Sequence, residues 1–249
     1  MIYLKINFLF FIIKSLTYFK MFKLFLEKIY LFRQTFFKKI NKNFYSQFGE
    51  DKVLNELIPS NFTNGFYVDV GCFHPKKHSN TYMLFRRGWK GINIDMEKNK
   101  IASFNLARPN DYNFLGAISD KIEKVKIYRN QKFGVSSTIN KNFIKKEDII
   151  DDENFQTTTL NIVLENSPFK RRKIDLLNID TEGNDLKVLK SLNFDIYSPS
   201  LITVETHHNK IDEILKSEIY LFLISHKYIL KSWNVYSLIF IKESYYESN

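Results

Sequence analysis

Short apolar runs separated by turn residues set the rhythm of the chain from residue 65 onward. Residues 65–70, 91–95, 113–118, 174–180 and 201–205 read as core strands, most of them ending on an acid or a small residue. Between them, residues 80–87 (stopped by Gly88), 184–192 and 211–225 carry helical spacings. Residues 124–128 and 157–163 read as further short strands on either side of a polar, mobile stretch at about 140–156. Residues 228–233 and 236–242 predict a closing hairpin that turns at Asn234. This alternation predicts an α/β fold, a mostly parallel sheet with helices on both faces and one late antiparallel strand. Ahead of it, residues 15–40 hold no Pro or Gly. Lys20, Lys23, Glu27, Gln34 and Lys38 recur at helical spacings, while Phe19, Phe22, Phe25, Leu26, Ile29, Phe32, Phe36 and Ile40 occupy the other faces. That pattern predicts an amphipathic helix with a broad apolar face.

Charge sharpens the division. The 249 residues carry 37 Lys+Arg against 27 Asp+Glu, a formal net charge of +10. Nine of those bases and one acid fall in residues 1–45, leaving 28 bases and 26 acids for the rest. The basic character therefore belongs to an arm, residues 1–44, ahead of a nearly neutral domain, residues 45–249. The domain gives no reason to expect a nucleic-acid partner. The arm admits two roles: a peripheral contact of residues 15–40 with an anionic membrane surface, or a helix packed on the domain or on another subunit. A start at Met21 would shorten it.

The longest uncharged apolar run, residues 6–13, ends at Lys14, short of the roughly 18 residues of a membrane span. No small-residue cleavage site follows it, so a signal peptide fits poorly, and the expected location is the cytoplasm, with or without attachment to the inner face of a membrane. A single cysteine, Cys72, excludes an intramolecular disulfide and a cysteine-based zinc cluster.

Ligands of such sheets bind beyond the carboxyl ends of the strands. Asp69-Val-Gly71 closes the first strand, and Gly71 lets the backbone turn and approach a ligand. Asp95 ends the second strand, where an acid accepts hydrogen bonds from ribose hydroxyls. Residues 117–119 end the third, where an adenine edge would lie. The dinucleotide fingerprint is absent, because Phe73 and Pro75 stand where further glycines would cradle a pyrophosphate. Asp69 suits a cationic ligand group. Asp69 and Asp95 could also serve only as turn and helix caps.

Residues 45–51 (Tyr-Ser-Gln-Phe-Gly-Glu-Asp), 65–75 (Gly-Phe-Tyr-Val-Asp-Val-Gly-Cys-Phe-His-Pro), 79–82 (Ser-Asn-Thr-Tyr), 88–95 (Gly-Trp-Lys-Gly-Ile-Asn-Ile-Asp) and 179–183 (Ile-Asp-Thr-Glu-Gly) stand in an order that resembles the FkbM-type methyltransferases over about residues 45–210. Cys72 stands where members commonly have Ala. The resemblance implies a Rossmann-like seven-stranded sheet, S-adenosyl-L-methionine as cofactor, and methyl transfer, usually to oxygen on a sugar or natural product. Carried over by motif, Asp69 and Gly71 would hold the methionine end and Asp95 the ribose, with Ser119 near the adenine. Asn80, between Ser79 and Thr81, opens the following helix and would either bind the cofactor's acidic end or cap the helix.

An alcohol acceptor must lose a proton, so a base is needed beside the methyl. Asp180 and Glu182 sit two apart where the fourth strand ends, and Gly183 permits the turn. Glu205, His207 and His208 end the fifth strand. Glu182 is expected to contact the acceptor and His207 to act as base, with Asp180 beside them. Oxygen-rich clusters also suit a hard cation, but base catalysis without a metal is the expectation. Gln47, Glu50 and Leu54 share a helix face that could fold over the cofactor, with Ser46 as cap, and residues 134–138 could line the acceptor pocket. The expected acceptor is a sugar or lipid-linked glycan. The competing reading is a non-catalytic module of the same fold that docks to a glycan-assembly partner or membrane.

Overall fold

Where the apolar runs fall, the backbone pairs. A computed structural model describes the backbone of residues 2–37, 44–129, 137–143 and 149–246, and the side chains of these outside 2–17 and 149–154. The chain divides into two compact units, Met1–Lys39 and Ile40–Asn249. The first is one helix, α1 (Ile2–Phe36), which starts well before the expected residue 15. From residue 18 its apolar side chains, Tyr18, Phe19, Phe22, Phe25 and Phe32 among them, are exposed. At about 100° per residue they cover roughly two-thirds of the circumference. As expected from the sequence, the apolar face is broad and Lys20, Lys23, Glu27 and Gln34 share one side, with Lys28 and Arg33 flanking it. Lys38 and Ile40 lie outside the described residues.

The second unit opens with α2 (Glu50–Leu57), β1 (Phe66–Val70), α3 (Tyr82–Arg86), β2 (Lys90–Asp95), α4 (Lys98–Ala107) and β3 (Tyr112–Leu115). A side branch follows: β4 (Ala117–Ile118), β5 (Lys124–Arg129), β6 (Ser137–Thr138), a single 3₁₀ turn at Lys141–Phe143, and β7 (Ile149–Thr158). The main thread resumes with α5 (Leu160–Asn166), β8 (Leu176–Ile179), α6 (Asp185–Lys190), α7 (Phe194–Tyr197) and β9 (Leu201–Glu205). It closes with α8 (Ile211–Lys216), α9 (Glu218–Ser225), β10 (Tyr228–Asn234), β11 (Ser237–Lys242) and α10 (Glu243–Tyr246).

Seven strands form the main sheet in the order β10-β11-β9-β8-β1-β2-β3, parallel except for β11. Its two faces bury separate cores. Phe66, Val68 and Val70 pack with Leu160, Val188 and Leu223 on one side, and Tyr67 with Leu54, Leu84 and Trp89 on the other. Helices cover both faces, as the alternation of elements predicted.

Four local readings change. The third strand is interrupted at Gly116, so Ala117 and Ile118 pair with β7 in a separate four-stranded sheet, β4-β7-β5-β6. The polar stretch at 140–156 contains most of a ten-residue strand, β7. The run at 157–163 turns into α5 because the Thr159 side chain caps the helix, accepting from the Ile162 N–H. Helix 211–225 is two helices, divided at Ser217, whose hydroxyl caps the second by accepting from the Tyr220 N–H.

One buried polar band crosses the second face. Parallel register sets Asn178, Asp69, Asn93 and Asn113 side by side on β8, β1, β2 and β3. Asn178 Nδ2 donates to Asp69 Oδ1 at 2.8 Å and Thr81 Oγ1 donates to Asp69 Oδ2 at 2.8 Å. Fully buried Arg108 donates to Thr81 Oγ1, to the Tyr67 hydroxyl and to the Pro75 carbonyl, within an aromatic enclosure that includes Phe85 and Phe104. Burial pushes the Asp69 carboxyl above its ordinary range, and these donors and the guanidinium oppose it. The band therefore ties the ends of the first two strands to the loop after β1.

Candidate active site

β1, β2 and β8 end together, and a solvent-open cleft lies beyond them. Gly71 forms its floor. Its φ is +84°, and a Cβ added there would stand 1.7 Å from the Asp180 carbonyl oxygen. The Gly71 and Cys72 N–H groups both donate to the Ile94 carbonyl, at 2.9 and 3.0 Å. The chain thus leaves β1 in a turn that only glycine fits.

Asp95 lines the same cleft. Its Oδ1 accepts from the Glu97 N–H at 2.7 Å, and its Oδ2 from Lys100 Nζ at 3.0 Å. Burial raises the Asp95 carboxyl above its ordinary value, and the lysine works against that. For Lys100 burial disfavours the ammonium, yet Asp95 outweighs it and raises its pKa. Lys100 Nζ also stands 5.5 Å from the Phe73 ring centroid. The sequence reading missed this lysine. A base in the first turn of the helix that follows a strand-end acid was the available signal.

Apolar Ile94, Ala117 and Ile118 line the wall beside Asp95. Asn184 fixes that wall by donating to the Ile118 carbonyl at 2.7 Å. Together, a backbone floor that a Cβ would fill, an acid for a diol and an apolar slot fit a nucleoside, as S-adenosylmethionine requires. Gly71 and Asp95 would hold it.

Three expected cofactor ligands sit elsewhere. Both Asp69 oxygens are engaged by Thr81 and Asn178, and the residue lies beneath the cleft. Asn80 donates from Nδ2 to Asn178 Oδ1 at 2.8 Å and joins the same band. Ser119 is fully buried, with its N–H donating to the Thr158 carbonyl at 2.9 Å across the small sheet. None of the three is among the cleft-lining residues, which include their neighbours Val70 and Ile118.

The catalytic candidates gather at the other end. Asp180 and Glu182 line the cleft. Asp180 is open to it yet deeply enclosed by protein. That enclosure, then the charges of Glu205, Asp185 and Glu182, pushes its carboxyl well above the ordinary range. Burial, then the charges of Asp185 and Glu182, pushes Glu205 up to about 9. Glu205 Oε2 also accepts from the Glu182 N–H at 3.1 Å and lies 3.3 Å from His207 Nε2. Glu182 adopts a left-handed φ of 53°, uncommon for a residue with a Cβ. Asp185 braces it, accepting from the Thr181 and Gly183 N–H groups at 2.9 and 3.1 Å.

Glu182, Glu205 and His207 offer ligand atoms within 4.8 Å of one another, close enough to hold one cation. His208 faces away, 3.8 Å from Glu213. Gln47 lines the cleft from the loop before α2 rather than from a helix face. Ser46 accepts from the Gly49 N–H at 3.0 Å and donates to Asp51, so it organises that loop although Gly49 is the N-cap. Ser137 lines the cleft too, while residues 134–136 of the expected acceptor loop lie outside the described residues.

A family model described as the Methyltransferase FkbM domain matches residues 69–230, starting at the end of β1. Among solved structures, the chain is similar to one described as a TehB-like SAM-dependent methyltransferase from Corynebacterium glutamicum ATCC 13032 Kitasato. The identity is 12% and the TM-score 0.40, over 79% of this chain and 88% of that one. No curated protein matches the chain.

The floor of the cleft makes a stability test. Gly71→Ala must move its Cβ off the Asp180 carbonyl and hold a left-handed alanine, costing about 2 kcal/mol or more. Urea unfolding is expected to shift accordingly, and an unchanged midpoint would contradict the close approach.

Proposed function

The chain belongs to the FkbM methyltransferase family, and on that premise we propose that it transfers a methyl group from S-adenosyl-L-methionine to a sugar hydroxyl in glycan or natural-product synthesis. The observation that carries this reading is the meeting of two halves in one cleft. Gly71 and Asp95 at one end share the cleft with Asp180 and Glu182 at the other, and Glu205 accepts from the Glu182 N–H with His207 beside it.

Bound there, the cofactor supplies a sulfonium methyl that needs no further activation. The protein's part is to align an acceptor oxygen with it and remove the proton. Alignment alone contributes roughly 7–11 kcal/mol at best, and a positioned base about 10²–10⁴-fold. Glu182, held by its turn at the cleft edge, accepts a hydrogen bond from the acceptor hydroxyl. Glu205 orients the His207 ring, and the free ring nitrogen takes the hydroxyl proton. No step requires a metal, although the same three side chains could hold one.

Isothermal titration of the full chain with S-adenosylhomocysteine tests the cofactor half. Asp95→Asn is expected to weaken binding about tenfold or more through loss of a charge-assisted hydrogen bond. Absence of binding by the folded wild type at millimolar ligand would refute the reading.

The arm supports a location. Among the described residues no helix is long and apolar enough to cross a membrane. α1 instead exposes Phe19, Phe22, Phe25 and Phe32 between Lys20, Lys23, Lys28 and Arg33, a pairing that suits an anionic bilayer surface. Each surface cation contributes about 1 kcal/mol there. The full chain is expected to sediment with vesicles containing phosphatidylglycerol and to be released when Lys20, Lys23 and Lys28 are each changed to Glu. Equal sedimentation of wild type and variant would rule out this role.

A further inference from the structure

Beside Glu182 and Glu205, a row of aromatic rings begins. Phe143 and His207 lie 4.8 Å apart by ring centroids, His207 and Tyr236 6.3 Å, and Tyr236 and Phe48 5.4 Å. The four rings come from the turn after β6, the end of β9, the turn into β11 and the loop before α2. Each is anchored through its own backbone or ring. Phe143 lies across Gly183, where an added Cβ would stand 2.1 Å from the ring. Its loop is pinned by Thr138 Oγ1 donating to the Glu182 carbonyl at 2.8 Å and Asn140 Nδ2 donating to the Gly183 carbonyl at 2.6 Å. The Tyr236 carbonyl accepts from the Thr206 N–H at 2.7 Å. Glu50 clamps the last ring: its Oε2 accepts from the Phe48 N–H at 2.8 Å and its Oε1 from Ser237 Oγ at 3.0 Å.

The outer rings stay in water. Phe48 is 37% exposed and Tyr236 45%. An exposed apolar strip bordered by carboxylates has few good partners among small molecules. A phosphate or carboxylate would bring further negative charge to Asp180, Glu182 and Glu205, acids that already oppose one another's ionisation, while Lys100 is held by Asp95. A purely apolar ligand would leave the acids dry and unpaired. A neutral sugar meets both demands. Its hydroxyls both donate and accept, so they pair with these carboxyls whether ionised or protonated, and the C–H face of its ring stacks on the electron-rich face of an aromatic ring. The rings link in series at interplanar angles of 58°, 43° and 68°, so one pyranose cannot lie flat on all of them.

We propose that the acceptor is the end of a neutral oligosaccharide. Its terminal residue sits at Glu182 and Glu205, and the residues behind it lie along Tyr236 and Phe48. The proposal rests on the sugar O-methyltransferase reading and adds to it a charge class and a minimum length.

Saturation-transfer NMR on the full chain, with S-adenosylhomocysteine present, tests it. The probes are neutral trisaccharides of glucose, galactose, mannose and N-acetylglucosamine, the matching monosaccharides, and trigalacturonate. At least one neutral trisaccharide is expected to bind about tenfold or more tighter than its monosaccharide and than trigalacturonate. Phe48→Ala and Tyr236→Ala are each expected to remove about tenfold of that preference and to leave monosaccharide binding within about twofold. S-adenosylhomocysteine binding in the same samples reports the fold and the cofactor cleft separately. The proposal falls if trigalacturonate binds as tightly as the neutral probes, or if monosaccharide and trisaccharide bind alike. It falls equally if the ring variants keep the preference, or if no neutral trisaccharide binds while S-adenosylhomocysteine does. Failure of S-adenosylhomocysteine itself to bind would strike the cofactor reading first and the proposal with it.

Discussion

The architecture of this protein turns on one close approach of backbone to backbone. At the end of β1 the Gly71 Cα lies so near the Asp180 carbonyl that no side chain fits between. That contact sets the ends of two neighbouring parallel strands at one level. The turn after β1 and the turn after β8 then open into the same cleft. One turn presents Gly71 and Phe73, the other Asp180, Thr181 and Glu182. Without the approach, the Gly71–Asp95 end and the Asp180–Glu182 end would be separate features. With it, they line one cleft.

Behind this contact stands a polar band that the cleft never shows. Asp69 is a buried carboxylate whose desolvation is offset by Thr81, Asn178 and the Arg108 guanidinium. Arg108 reaches from there to the Pro75 carbonyl and to Ser79. The band thus holds the loop that carries Phe73 and His78 over the cleft. Such networks are stabilising only when satisfied, and removing one partner leaves a buried charge unpaired. The opposite arrangement rules at the acceptor end. There Asp180, Glu182, Asp185 and Glu205 crowd together, and burial with their mutual charges pushes the Asp180 and Glu205 carboxyls up. Clustered carboxylates of this kind weaken a fold and are kept where chemistry needs them.

Much of this was legible in the chain. The core strands announce themselves because strands buried on both faces must be apolar throughout, and four of the five strand ends fell where expected. Gly71 and Asp95 were legible as cleft-lining positions because both stand at strand ends. That Asp69, Asn80 and Ser119 lie outside the cleft lining is not carried by local sequence. Whether a residue near a strand end faces the cleft or its neighbours depends on register with other strands, and on the break at Gly116. β7 was missed because it pairs outside the main sheet and its sequence is acidic rather than apolar. The aromatic row was invisible as well, since its four members come from four distant segments.

The central claim is that one cleft binds the nucleoside at Asp95 and presents its other end to the carboxylates after β8. A crystal structure of the full chain with S-adenosylhomocysteine tests it most directly. The account places the ribose hydroxyls within hydrogen-bond distance of the Asp95 carboxylate, and the sulfur between the Gly71 turn and Glu182. Density for the ligand away from Asp95, or a sulfur turned away from Glu182, would contradict it.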